Sequence, residues 1–368
     1  MEDPVPNPTD LTELRERVQQ AVDAHIAAQT IVLAEIGAEL TPLIDSVGSL
    51  LAGGKRLRAG FLYWGYRAAG GADSDALVRL AASMEFFQAA ALLHDDVMDR
   101  SDTRRGMPSA HRAIESLHSE RGWLGDGGRF GEGAAILAGD LCLTWCDEMF
   151  ATCGLPDAQL GRGRPLFDRM RTQLMGGQFL DLLESVRGWE GLDLDARILS
   201  ARKVIRYKSA KYTIEHPLLI GALVGGVDEA ARSPLSEYGL ALGEAFQLRD
   251  DLLGVFGDPE ATGKPAGDDL REGKRTVLIA YGLDGATPAE RTRVESMLGR
   301  EDLDEAGVET LRDILVRSGA VDQVETLIDA QVHDALGALE RAAKASSLDT
   351  SATQVLHDLV ELSTSRHA

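Results

Sequence analysis

The chain has 368 residues, of which 38 are basic and 59 acidic, and the resulting net charge of −21 argues against nucleic acid as a partner. A hydrophobic content of 44% is ample for a core and excludes disorder throughout. No run approaches the roughly 18 apolar residues that span a bilayer. The first ten residues, MEDPVPNPTD, are acidic and proline-rich rather than basic and then apolar, so a cytoplasmic protein is expected.

Aromatics make up only 5%, while alanine and leucine recur in long stretches that do not alternate with period two. The expected class is therefore all-α. Residues 1–10 read as a flexible tail, and Asp10 with Glu13 reads as an N-cap with its capping box. Helices are then predicted over 12–38, 41–51, 56–69, 75–99, 108–117, 132–151, 157–187, 195–210, 214–225, 228–256, 275–283, 288–299, 304–318, 320–345 and 351–363. The breaks carry Gly, Pro or Asp clusters, at 52–54, 69–73, 122–133 and 257–269. The third of these reads as a mobile loop. With no repeat and no long linker, residues 11–368 read as one domain. The cysteines, Cys142, Cys146 and Cys153, fit no common zinc or redox spacing and read as buried free thiols.

Between Leu77 and Asp99 hardly any polar face remains, so that helix is predicted to be buried all round. Yet it ends in Asp95-Asp96-Val97-Met98-Asp99, carboxylates that a core helix does not place without a charge partner. Positions i and i+4 share a face, so Asp95 and Asp99 point the same way with Asp96 beside them. Hard oxygen ligands without a His or Cys cluster favour Mg²⁺, which keeps waters and is completed by substrate phosphates. A second pair, Asp250-Asp251, closes another apolar stretch. Short basic groups stand around both: Lys55, Arg56 and Arg58; Arg104-Arg105; Lys208 and Lys211; Lys264; Lys274 and Arg275. Cations so grouped in an acidic protein suggest polyanion capture. Each Gly-Lys pair lacks the following Ser or Thr of a P-loop, and no nucleophile elbow, zincin helix or dinucleotide turn is present. A diphosphate held by Mg²⁺ is the expected substrate.

An ordered series of motifs then stands out: Gly53-Gly54-Lys55-Arg56-Leu57-Arg58, Asp95 to Asp99, Arg104-Arg105-Gly106, Gly177-Gln178-Phe179-Leu180-Asp181, Lys208, Phe246-Gln247 with Asp250-Asp251, and Gly263-Lys264-Pro265 to Lys274. In these the sequence resembles the all-trans isoprenyl (polyprenyl) diphosphate synthases, over most of its length. The resemblance implies a helical bundle around a deep central cavity and about three Mg²⁺ ions held by Asp95, Asp96, Asp99, Asp250 and Asp251. It gives Arg104, Lys208, Lys264 and Lys274 to the allylic diphosphate, with Gln247 beside them. It gives Gly54, Lys55, Arg58, Arg105 and Gln88 to isopentenyl diphosphate, and lets Gln178 and Asp181 brace the cavity. It also implies the chemistry: charge on the leaving diphosphate is stabilised, the C–O bond ionises, and the isopentenyl double bond attacks the allylic cation. A homodimer is implied as well.

Two positions depart from the family pattern. Gln88 stands where His is usual, and Gly254 stands where the second acidic motif usually has its third Asp, with Asp258 as a possible substitute. Chain length in the family is read upstream of the first motif. Ala91 and Ala90 are too small to stop a growing tail, and Phe87, about 12 Å up the helix axis, is the candidate floor. A C20 product, geranylgeranyl diphosphate, is expected. The competing readings are a terpene cyclase of related fold and a non-catalytic subunit of a heteromeric synthase.

Overall fold

The computed structural model describes residues 11–257, 267–300 and 302–364. Asp10, Asp258 and Lys264 lie outside the described residues, as do the proposed tail and the capping box at Asp10. What is described is almost wholly helical, as the composition predicts. Its described residues form two compact units, those of 11–163 with 220–226 and 349–352, and those of 164–219 with 227–348 and 353–364.

The first unit holds α1 (Leu11–Ala34), α2 (Thr41–Leu51), α3 (Leu57–Ala68), α4 (Asp75–Met98), α5 (Ala110–Glu120) and α6 (Gly127–Thr152). Helix α4 starts where Ser74 caps it by accepting from the Leu77 amide at 3.2 Å. It is packed by α1, α3 and α6, and Leu77, Leu80, Met84, Phe86, Phe87 and Leu93 lie buried along it. By length and composition alone α4 would suit a membrane, which the sequence reading did not expect; its neighbours cover most of it, and it is the core of this unit. The three cysteines are buried free thiols, as expected, and burial pushes the Cys142 thiol far above its usual value. Trp64 and Trp145 are core residues.

Two features here differ from the predicted elements. Helix α6 begins at Gly127, inside the glycine-rich stretch, because Asp126 caps it by accepting from the Arg129 amide at 3.2 Å. Trp123 also stands edge-to-face to His118 and to Phe130 there, with Phe130 tilted against His118. Residues 103–108 form a small hairpin, β1 (Thr103–Arg104) antiparallel to β2 (Met107–Pro108). Its two-residue turn is Arg105-Gly106, with φ of 53° and 74°. Two consecutive left-handed residues are what the right-handed strand twist needs in so tight a turn.

The second unit holds α8 (Leu194–Val204), a π-helical segment (Ile205–Glu215), α10 (Glu229–Phe256), α11 (Asp268–Glu272), α12 (Val277–Gly285), α13 (Pro288–Met297), α14 (Glu305–Arg317) and α15 (Ala320–Ala345). Helices α7 (Asp157–Val186), α9 (His216–Gly225) and α16 (Thr350–Thr364) contribute to both units. No break interrupts 211–213 as the sequence suggested; α8, the π segment and α9 run on without one. Helix α10 packs on α15 and on the π segment. Gly239 and Gly243, one turn apart, make the second contact possible, since a Cβ would stand 2.6 Å from the Glu215 Cα and 2.7 Å from the Ala210 Cα. Arg249 ties α10 to α15 and α16 by a two-pronged bond to Glu325, at 2.6 and 2.7 Å, and one to the Thr364 carbonyl.

Candidate active site

In the first unit the end of α4 sorts its residues by face. Gln88, Ala91, Leu92, Asp95 and Asp99 are partly open, whereas Phe86, Phe87, Ala89, Ala90, Leu93 and Asp96 are buried. The spacing of 88, 91, 95 and 99 is that of one helical stripe, so Asp95 and Asp99 do share a face, with Ala91 and Gln88 one and two turns behind them. Asp96 turns the other way. It is 2% exposed, and its Oδ1 accepts from Arg104 through Nε at 2.9 Å and again through the guanidinium end; the same end lies 3.9 Å from Asp95. Phe87 and Ala90 are packed within the helical core rather than on the open stripe.

A basic cluster stands near this end. Gly53 and Gly54, both with positive φ, lead to Arg56, itself left-handed, from which α3 begins. Arg56 is buried and its guanidinium meets Glu85 of α4 at 2.8 Å; Glu85 also accepts from the Ala59 amide. Lys55 is exposed and Arg58 buried one turn on. Arg105 reaches back from the hairpin turn to donate to the Leu50 carbonyl at 2.9 Å, and its guanidinium lies 3.5 Å from where a Cβ on Gly54 would stand. Burial, then Arg56, Arg104 and Arg58, hold the Arg105 guanidinium below its ordinary range, against the pull of Glu85. Arg56, Arg58 and Arg104 stand close enough to Arg105 to disfavour its charge, and guanidiniums so gathered suit an anion. Arg104, Arg105, Asp96, Leu93 and Leu50 line a cavity of about 840 Å³ in this unit.

In the second unit, α7 comes so close to the π segment that a Cβ on Gly177 would stand 2.4 Å from the Tyr207 carbonyl carbon and 2.5 Å from the Lys208 nitrogen. One turn further, Asp181 takes Lys208 in an ion pair of 2.5 Å, with Gln178 half-buried beside it. Near the end of α10, Gln247 donates to Asp251 at 2.8 Å and to Asp250 at 3.4 Å. Asp250 is exposed and Asp251 is 5% exposed. Burial, then the neighbouring Asp269 and Asp250, push the Asp251 carboxyl up to about 8, although Gln247 and Lys274 work against the shift. Its Oδ2 is buried without a hydrogen-bond partner. Lys274 bonds Asp269 at 2.8 Å and Glu272 at 2.7 Å, and these carboxylates hold it above the usual lysine value although burial opposes them.

The sequence singled out the aspartates of both motifs and the cations. It did not single out the acidic partners that hold those cations, Glu85 for Arg56 and Asp269 with Glu272 for Lys274. Only contact in three dimensions distinguishes these from the many other acids of the chain.

The Polyprenyl synthetase family model matches residues 42–315, more than half of the chain. The chain belongs to that family. It is 32% identical over 320 residues to the geranylfarnesyl diphosphate synthase of Aeropyrum pernix, covering 86% of this chain and 91% of the relative. It is 31% identical over 266 residues to the geranylgeranyl diphosphate synthase of Saccharolobus solfataricus, covering 72% and 73%. Among solved structures, a Corynebacterium glutamicum geranylgeranyl pyrophosphate synthase, complexed with isoprenyl diphosphate and magnesium, superimposes with a TM-score of 0.90 at 38% identity, covering 97% of this chain and 99% of that one. The all-α isoprenoid synthase fold and the transferase class read from the sequence are thereby established, and this polyprenyl synthetase is an isoprenyl diphosphate synthase.

The residues present fit a divalent metal. The orphaned buried carboxylate oxygen on Asp251, and the partly open carboxylates of Asp95 and Asp99 on one helical stripe, are hard oxygen donors. Among the described residues no three His, Cys, Asp or Glu side chains gather into a finished metal cage. That arrangement suits Mg²⁺, which is held by one or two carboxylates and completed by water and phosphate.

Proposed function

We propose that this synthase joins isopentenyl diphosphate to an allylic diphosphate with Mg²⁺ as cofactor, and that its main product is the C20 trans-prenyl diphosphate. The observation that carries the reading is the stripe on α4 on which Asp95 and Asp99 stand open above the small Ala91. In the first unit, Asp95, Asp96 and Asp99 are the metal-site carboxylates, Arg104 binds allylic diphosphate, and Gly54, Lys55, Arg58, Gln88 and Arg105 take isopentenyl diphosphate. In the second, Asp250 and Asp251 hold metal, while Lys208, Lys274, Gln247 and Lys264 bind allylic diphosphate, with Asp181 and Gln178 orienting Lys208.

Bound Mg²⁺ would neutralise charge on the leaving diphosphate. The chain's own part is to position and desolvate. Arg104 steadies Asp96, so that the open carboxylates keep their direction. Gln88, an amide rather than an imidazole, offers its phosphate a hydrogen bond without charge. The buried Leu93, Phe86 and Ala89 hold the helix rigid behind the stripe, as a water-excluding site needs. Ala91 on the stripe is too small to stop a tail, and Phe87, packed in the core with Ala90 about two turns from Asp95, is the proposed floor. Relatives named for geranylgeranyl and for geranylfarnesyl products support a product near this length. The exposed Ile136 and Leu137 on α6 support a homodimer through that helix.

The test is incubation of the pure protein with Mg²⁺, isopentenyl diphosphate and, separately, C5, C10 and C15 allylic diphosphates, with products read by mass. Linear C20 diphosphate is expected, and Phe87→Ala should lengthen it. A longer series from the unaltered protein discards the Phe87 floor, and no chain elongation from any starter discards the reading.

A further inference from the structure

Lys274 and Arg275 are consecutive, yet they are tied to different elements of the second unit. The link that carries them is short, and its backbone is fixed at both ends. Gly273, with φ of 73°, ends α11 so close to Gly299 that a Cβ on it would stand 2.8 Å from the Gly299 Cα, and Thr276 caps α12. Lys274 turns to Asp269 and Glu272. Arg275 turns to the end of α7, where its Nε donates to the Glu184 carbonyl at 3.0 Å and its guanidinium lies 5.6 Å from the centre of the Trp189 ring.

The turn that receives Arg275 is itself well held. Glu184 is 5% exposed and Trp189 is 3% exposed. The Trp189 indole N–H donates to one Glu184 carboxylate oxygen at 3.1 Å, and Arg187 pairs with the other. Glu184 stands three positions after Asp181, the residue that holds Lys208. Arg275 therefore joins the part of α7 that holds Lys208 to the link from which Lys274 projects. A lysine is a point charge on a flexible stem, so the separation of two ammonium groups is defined only where both stems and both anchors are fixed. Carboxylates fix the two stems, and Arg275 fixes the anchors.

We infer that Arg275 is a positioning residue that holds Lys208 and Lys274 at one separation, and that this separation selects a diphosphate over a monophosphate. A diphosphate carries its two phosphoryl groups on one bridging oxygen, so their charges stand at a nearly constant distance. A monophosphate makes no demand on the spacing of two cations. The inference rests on the assignment of Lys208 and Lys274 to allylic diphosphate.

The test is calorimetric titration of inorganic pyrophosphate and, separately, inorganic phosphate into the full chain at saturating Mg²⁺, with thermal melting as a check on the fold. Arg275→Met, which keeps an apolar stem against Trp189, should weaken pyrophosphate about tenfold and phosphate less than about twofold. Trp189→Phe keeps a ring for the guanidinium but lets go of the Glu184 carboxylate; it is the milder variant and should shift the same ratio in the same direction. Arg187→Met removes an equal charge from the same turn without touching Arg275, and should stay within about twofold of the parent for both anions. Asp181→Asn combined with Arg275→Met should bind pyrophosphate within about threefold of the weaker single variant, because both loosen the same spacing. Equal losses in Arg187→Met and Arg275→Met would overturn the inference in favour of local charge. Equal weakening of the two anions in Arg275→Met, multiplied losses in the double variant, or a parent that does not prefer pyrophosphate would overturn it as well. A parent that prefers pyrophosphate but elongates no allylic starter would instead strike the proposed activity and leave the ratio to decide the role of Arg275.

Discussion

The ends of α4 and α10 are written in the same residues, adjacent aspartates closing an apolar helix, and the structure treats their buried members in opposite ways. Asp96 on α4 is neutralised within its own unit by Arg104. Asp251 on α10 has two acidic neighbours, an orphaned oxygen and a carboxyl pushed up to about 8. At the first end the buried Asp96 is paired before any ligand arrives, so its charge contributes to the fold, while Asp95 and Asp99 stay partly open beside it. The second keeps a buried carboxylate oxygen without a partner, so a cation bound there would stabilise it. The same motif thus stands in two electrostatic settings: its buried member is paired at one helix end and raised by acidic neighbours at the other.

The largest effects should come from the carboxylates themselves. Asp95→Ala and Asp251→Asn should each lower the rate of product formation by about 10²–10³-fold, measured at saturating substrates. Stability then separates the two helix ends. In chelator, Asp96→Asn should lose about 3 kcal/mol, because it leaves Arg104 without its buried partner. At neutral pH Asp251→Asn should gain on the order of 1 kcal/mol, because a carboxyl raised to about 8 must take up a proton on folding and the amide need not. Chemical denaturation of the two variants side by side would break the comparison if both moved in the same direction.

A further variant sharpens the first half of that contrast. Glu85 and Arg56 are a second closed pair in the first unit, each side chain only 4% exposed. Glu85→Gln should cost about 3–5 kcal/mol and should loosen the start of α3, where Arg56 sits in a left-handed conformation. A cost under about 1 kcal/mol would mean that buried pairing is not what holds this region.

What the sequence made legible follows from what periodicity encodes. The all-round apolar run to Asp99 marks α4 as a core helix, and the acidic ends mark both motif helices as sites. The i, i+4 rule places Asp95 with Asp99, and the open stripe on α4 agrees. The same rule leaves Asp96 in the cluster, whereas its burial against Arg104 depends on a hairpin too short to leave a periodic trace. Residue 254 reads as a missing carboxylate in one dimension, whereas in three its side-chain space is taken by the Asp269 carboxylate, since the return of α11 to that spot is set by packing between segments separated by a loop. The π segment, too, is invisible to a 3.6-residue pattern, because it keeps helical composition while changing its pitch.

The glycines on which these returns depend supply a smaller test. Gly177→Ala would drive a Cβ into the backbone at Tyr207 and Lys208. Part of α7 should shift, at a cost of about 1–3 kcal/mol, and the Asp181 bond to Lys208 should lengthen. If the second unit is the one that relies on ligand charge, this variant should raise the KM for allylic diphosphate more than it lowers kcat. A pure loss of kcat would place Lys208 elsewhere in the reaction.

The smallest effect concerns another orphaned group of the second unit. His216 is 2% exposed, its Nδ1 lacks a partner, and its Nε2 lies 3.7 Å from Glu215, which Lys211 already holds at 2.6 Å. Burial, then Lys211 and Arg169, lower its value to about 3. The unfolded chain takes up a proton near pH 6.5 that the folded chain refuses until about pH 3, so stability falls as the pH drops through that window and is restored above it. The slope should approach about 1.4 kcal/mol per pH unit. Asp251 contributes the opposite slope, because its raised carboxyl favours the fold as pH falls. Comparing the parent with His216→Gln at each pH cancels that contribution. The variant should lose less stability than the parent between pH 6.5 and 5, and parallel curves would show that His216 finds a counter-charge when it protonates.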